Sequence, residues 1–99
     1  IKYIYLQDNL FTDFDTKKFP ALHTLNLDGC KPLINLDLSK NKELVQLYLL
    51  GTSIKELDIT NNRTLKTFYI EESVKLIKAD DQEATKRAPI ITVKYTQSQ

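Results

Sequence analysis

Leu22-His-Thr-Leu25-Asn-Leu27 returns 22 residues later as Leu44-Val-Gln-Leu47-Tyr-Leu49, and 21 residues after that as Leu65-Lys-Thr-Phe68-Tyr-Ile70. Ile1-Lys-Tyr-Ile4-Tyr-Leu6 stands 21 residues before the first of these. All four copies have the form L-x-x-L-x-L with aliphatic or aromatic substitutes. Apolar positions held in phase at such a period mark a solenoid. A second motif runs between the copies. Leu33-Ile-Asn-Leu36-Asp37-Leu38-Ser-Lys-Asn41 matches Ile54-Lys-Glu-Leu57-Asp58-Ile59-Thr-Asn-Asn62. Val74-Lys-Leu-Ile77-Lys-Ala79-Asp-Asp-Gln82 reads as a degenerate third copy, with Ile77 in the place of Leu57. Phe14-Asp15-Thr-Lys-Lys-Phe19-Pro20 fills the same slot early in the chain. Each repeat is therefore two short apolar segments joined by two corners, which is one coil.

Alternation in L-x-L puts the two leucines inward and the middle residue outward. One coil cannot bury its own apolar side, so coils must stack into a continuous core. Strands of successive coils then pair in parallel. Four of them are expected, starting near residues 4, 25, 47 and 68. Asn41, Asn62 and Gln82 fall in phase and predict an inward column of amides bonding the corner backbone.

These residues resemble the leucine-rich repeats of bacterial proteins with repeats of this short length. Leu33-Ile-Asn-Leu-Asp-Leu-Ser-Lys-Asn-Lys-Glu-Leu44 is similar to repeats in surface proteins of the Bacteroides type. The internalin-like proteins are more distant. The resemblance implies an α/β fold, a right-handed superhelix with a parallel sheet on its concave face. About ten residues per half-coil leave the convex side mostly extended turns with little helix. It also implies a secreted or cell-surface location. The family's Asn after the strand is present as Asn9. Cys30, Thr52 and Ser73 occupy the equivalent places and predict weaker polar contacts at an inward corner.

The coils span residues 1–82 of the 99. Residues 83–99 leave the repeat: Glu83–Pro89 is a connector, and Ile90-Ile-Thr-Val-Lys-Tyr95 predicts a strand that caps the last coil. No equivalent cap precedes Ile1, and the chain contains no Met. Residue 1 is therefore expected to be a processing point or an artificial boundary, with further coils upstream.

Composition narrows the function. Lys and Arg total 14 against 13 for Asp and Glu, a net charge of +1, which makes no case for nucleic acid or an anionic membrane. No apolar run approaches the roughly 18 residues of a membrane span. A single cysteine and a single histidine disfavour a disulfide framework, a zinc site or histidine acid–base chemistry. Gly29 and Gly51 stand alone at corners, so no glycine loop cradles phosphate. No nucleophile–base pair or facing carboxylates converge for a structural reason. The chain reads as non-enzymatic, with no cofactor and no metal.

The candidate site is the outward side of the parallel strands. Its central row is Tyr5, Asn26, Tyr48 and Tyr69. One flank is Tyr3, Thr24, Gln46 and Thr67; the other is Gln7, Asp28, Leu50 and Glu71. Tyrosine supplies contact area at low entropy cost and is favoured in recognition. It also suits exposed strand positions for their own sake. The candidate ligand-binding residues are Tyr3, Tyr5, Asn26, Asp28, Gln46, Tyr48, Tyr69 and Glu71, facing a protein or a glycan. A sheet of this size covers only about 20 by 10 Å. That is well short of the roughly 800 Å² per partner of a stable interface. Weak binding, or a share in a longer array, is expected. The alternatives are a structural cap or spacer, and weak self-association through the open first coil.

Five further features have plainer readings. Cys30 predicts a buried structural thiol, and His23 a surface histidine. Asp15, Asp37 and Asp58 are in phase, which suggests a cation ladder, but corner-bonding aspartates fit better because no calcium loop accompanies them. Asp80, Asp81 and Glu83 read as a solvated acidic loop. Asn62-Arg-Thr64 matches a glycosylation sequon by coincidence, since Asn62 is expected to point inward.

Overall fold

The computed structural model describes residues 1–82. The predicted connector and capping strand of residues 83–99 lie outside the described residues. Six three-residue strands are formed: β1 Tyr3–Tyr5, β2 Thr24–Asn26, β3 Gln46–Tyr48, β4 Glu56–Asp58, β5 Thr67–Tyr69 and β6 Lys75–Ile77. Helix is nearly absent among the described residues. Its one instance is a single 3-10 turn, Thr16–Lys18, capped by the Asp15 carboxylate, which accepts the Lys17 N–H at 3.1 Å.

The strands form a parallel four-stranded sheet in the order β1-β2-β3-β5. Its register stacks like on like. Ile4, Leu25, Leu47 and Phe68 are aligned across the sheet and point inward. Leu27, Leu49 and Ile70 form the next buried row, and Leu22 and Leu44 the one before. These rows meet Leu33, Leu38, Ile54, Leu57, Ile59 and Val74 from the opposite half-coils, which closes the core. The architecture is a solenoid of stacked coils with parallel strands, as the repeat pattern predicts. Fully burying one such leucine contributes about 1.5–3 kcal/mol.

The second half-coils are more ordered than extended turns. β4 and β6 pair in parallel, and Asp13 and Asn35 form an isolated parallel bridge on the same side. The register there corrects one alignment. Leu76, not Ile77, lies opposite Leu57, and Ile77 lies opposite Asp58. The reason is the period of two in Val74-Lys-Leu76, which turns both apolar side chains inward and sends Ile77 outward.

The amide column ties the coils together. Asn41 Nδ2 donates to the carbonyls of Thr16 and Phe19, both at 2.9 Å. Asn62 Nδ2 donates to Leu38 at 3.0 Å and Asn41 at 2.8 Å. Gln82 Nε2 donates to Ile59 at 2.7 Å and Asn62 at 3.1 Å. Each amide thus gives a second donor to two carbonyls of the coil before it, each of which already accepts a backbone N–H within its own turn. Asn41 and Asn62 are fully buried, and their Oδ1 atoms have no hydrogen-bond partner. The extra methylene of Gln82 lets its Oε1 accept the Ala79 N–H at 3.1 Å.

The opposite corner is less uniform. Asn9 donates to the Leu6 carbonyl at 2.9 Å. Buried Cys30 directs its thiol to the same carbonyl at 3.2 Å, from one coil later. Thr52 bonds Leu49 within its own coil at 3.0 Å. Ser73 is exposed and does not continue the inward corner. Val74 reaches the core in its stead.

Candidate functional site

The register settles which side chains share the outer face of the four-stranded sheet. Tyr3, Thr24, Gln46 and Thr67 are aligned, and so are Tyr5, Asn26, Tyr48 and Tyr69. Tyr48 and Tyr69 stack with ring centroids 5.0 Å apart. Such pairs contribute about 0.5–1.5 kcal/mol beyond buried area. Tyr3 and Tyr5 are each 58% exposed. Asn26 interrupts the tyrosine row, and its Oδ1 is occupied by the Asp28 N–H at 3.0 Å.

Two flanking positions depart from the outward reading. Thr24 is buried, because the His23 ring nitrogen approaches its hydroxyl at 2.8 Å while Gln46 leans over it at 3.5 Å. His23 is accordingly half-buried, its ring 5.4 Å from that of Tyr3 and not out in solvent. Leu50 is buried too, at 3% exposure. Its N–H is held by Asp28 Oδ1 at 2.8 Å, which turns the chain so that the side chain becomes a floor and not a projection.

That floor belongs to an open groove of about 500 Å³ at the end of the sheet where the strands run out. Gln7, Asp8, Asp28, Gly29, Leu50, Gly51 and Glu71 line it, and none of them is basic. Glu71 accepts the Gly51 N–H through Oε2 at 2.9 Å. Asp28 and Glu71 are thus each anchored to backbone by one oxygen. Burial pushes the Asp28 carboxyl above the ordinary aspartate range; the Leu50 N–H opposes this, and the charges of Asp8 and Glu71 add to it. Tyr48 is raised as well, by burial first and then by Tyr69, Tyr5 and Asp28.

Asp8 carries no signal of its own in the motif, yet it shapes this groove. Its φ is +61°, beside +78° at Gly29 and +75° at Gly51. The three residues hold the same corner in successive coils. Aspartate tolerates the left-handed region better than most residues, at a conformational cost that glycine avoids. The sequence signal was a non-glycine residue standing in phase with two glycines. The Asp8 carboxylate lies directly over Gly29, where an added Cβ would collide with Oδ1.

The other candidates resolve locally. Asp37 and Asp58 each accept the N–H two residues on, from Ser39 at 3.0 Å and Thr60 at 2.9 Å. They are exposed corner residues like Asp15, and hydrogen bonds from Ser39 and Thr60 hold both below the usual aspartate range. Asp81 pairs with Arg63 at 2.9 Å, while Glu83 lies outside the described residues. Asn62, the sequon residue, has its amide committed inside the core. Among the described residues, no three His, Cys, Asp or Glu side chains stand close enough to share a metal ion. None of the described helices is long and apolar enough to cross a membrane.

Compared with models of known protein families, with curated proteins and with solved structures, the chain finds no match.

Proposed function

We propose that this chain is a non-enzymatic binding module whose tyrosine-bearing sheet engages a protein or a glycan. The observation that carries it is the aligned row Tyr5, Asn26, Tyr48 and Tyr69, with a stacked pair at 5.0 Å beside a groove. Aromatic side chains held rigid by stacking lose little entropy on binding. The resemblance to leucine-rich repeats extends the reading. The sheet would then line the concave face of a right-handed superhelix in a secreted or surface-attached bacterial protein. The test is the double substitution Tyr48→Ala with Tyr69→Ala, assayed on protein and glycan arrays with circular dichroism alongside. Loss of a wild-type signal with an unchanged fold supports the face; an unchanged signal refutes it.

One observation favours a second reading, self-association through the first coil. Strand β1 is hydrogen-bonded on one side only, and Ile1, Tyr3, Tyr5 and Leu10 are exposed around it, Leu10 by 82%. Unpaired edges beside apolar side chains template pairing. A mass that rises with concentration in light scattering supports this reading, and a constant monomer mass removes it.

A further inference from the structure

We propose that the groove beside the tyrosine row docks a basic side chain, arginine above all, presented by a partner protein; this rests on the binding reading above. The groove has the shape for it, about 500 Å³, open, with an apolar floor at Leu50 and two glycines that let the backbone come close. It also has complementary charge. Asp8, Asp28 and Glu71 line it, and no basic lining residue neutralises them. Asp28 and Glu71 each spend one oxygen on a backbone N–H, which fixes the carboxylate and leaves the second oxygen for a donor from outside.

The spacing selects the kind of cation. The carboxylates surround a groove and do not converge as a metal shell, since no three acidic, histidine or cysteine side chains among the described residues stand close enough to share an ion. A planar guanidinium, with donors on several edges, reaches separated carboxylates as a point charge does not. The aromatic pair adds a second contact of the same preference. Tyr48 and Tyr69 end their strands two residues before Leu50 and Glu71, so their backbones lie at most about 7 Å from those of the groove residues. Because the rings stack on each other, a guanidinium beside them meets the outer face of the pair, which attracts it. A partner's backbone then runs across the tyrosine row while its arginine turns into the groove. A glycan offers no positive charge for the carboxylates, so the observations favour a protein.

Amide chemical shifts of the labelled chain give the test. The probes are acetyl-Gly-Arg-Gly-amide and the same peptide with citrulline in place of arginine, which keeps the shape and loses the charge. The arginine peptide is expected to move the amides of Gly29, Leu50 and Gly51, and to bind at least about tenfold more tightly than the citrulline peptide. Asp28→Asn with Glu71→Gln keeps the backbone-accepting oxygens and removes both charges. That variant is expected to lose the discrimination while its unfolding midpoint does not fall. Independently, raising the salt from about 50 to about 500 mM is expected to weaken only the arginine peptide. Equal binding of the two peptides overturns the proposal, as does the absence of shifts in the groove at about 10 mM arginine peptide. An oligosaccharide that moves the groove amides equally in wild type and the charge-removed variant also overturns it. In that last case the tyrosine-face reading survives, whereas failure of the Tyr48/Tyr69 test removes both.

Discussion

The side-chain amide of Asn62 donates to the backbone carbonyl of Asn41 at 2.8 Å, and Asn41 does the same to Phe19 in the coil before it. Coil is joined to coil by a repeated buried contact, not by strand pairing alone. Removing an amide breaks two cross-coil hydrogen bonds and leaves each carbonyl with its backbone N–H alone. Asn62→Ala and Asn41→Ala should each lower stability by about 1–3 kcal/mol. Urea denaturation followed by circular dichroism measures this; a loss under about 0.5 kcal/mol would show that the column is dispensable.

Gly29 and Gly51 both need positive φ, but they differ in what an added Cβ would meet. At Gly51 the nearest atoms belong to Gly29 at 3.4 Å; at Gly29 the Asp8 carboxylate blocks the place. Gly51→Ala should cost about 1–2 kcal/mol from backbone conformation alone. Gly29→Ala should cost more and push the Asp8 carboxylate aside. The excess should vanish in an Asp8→Gly background, which a double-mutant cycle of unfolding free energies reads directly.

The aspartates predict opposite pH dependences. Asp37 and Asp58 are held below their usual range by Ser39 and Thr60. Their stabilisation is present above the unfolded aspartate pKa and is lost as pH falls through that value and below it. Asp28 is raised by burial. Its contribution is complete below the unfolded pKa and is lost as pH rises through the raised folded value. Asp58→Asn should therefore flatten the acid limb of the stability profile, and Asp28→Asn should raise stability near neutrality. Thermal unfolding from pH 3 to pH 7 of the three proteins tests both signs, on the order of a few degrees each.

Cys30 is fully buried and its thiol faces the Leu6 carbonyl. A thiol reagent should modify it far more slowly than free cysteine under native conditions, with a rate that climbs as denaturant is added. Labelling as fast as free cysteine would place the thiol on the surface.

Substitution at the centre of the sheet probes the shared core. Leu47 aligns with Leu25 on one side and Phe68 on the other and is fully buried. Leu47→Ala should cost about 2–5 kcal/mol through lost burial and a cavity. In a chain with the few kcal/mol of a small domain, the expected outcome is a broad or lost thermal transition.

The repeat by itself determined the stacked coils, the inward rows and the amide column. A solenoid coil touches only its neighbours, so the pattern of one coil and its spacing to the next contain nearly all the contacts that matter. Period two decided the facing of Leu25, Leu47 and Phe68, and the in-phase amides of Asn41, Asn62 and Gln82 could bond only backbone at a corner. The exceptions lie where one coil leans on another. Leu50 has an outward phase but is buried because Asp28 of the preceding coil holds its N–H. Thr24 is covered by His23 and Gln46, and Ser73 is exposed although its position is in phase with Cys30. The groove depends on the same cross-coil contacts. Asp8, Asp28 and Glu71 lie 20 and 43 residues apart along the chain. Only the stacking of their corners, with Asp8 in a glycine's conformation, brings three carboxylates around one space.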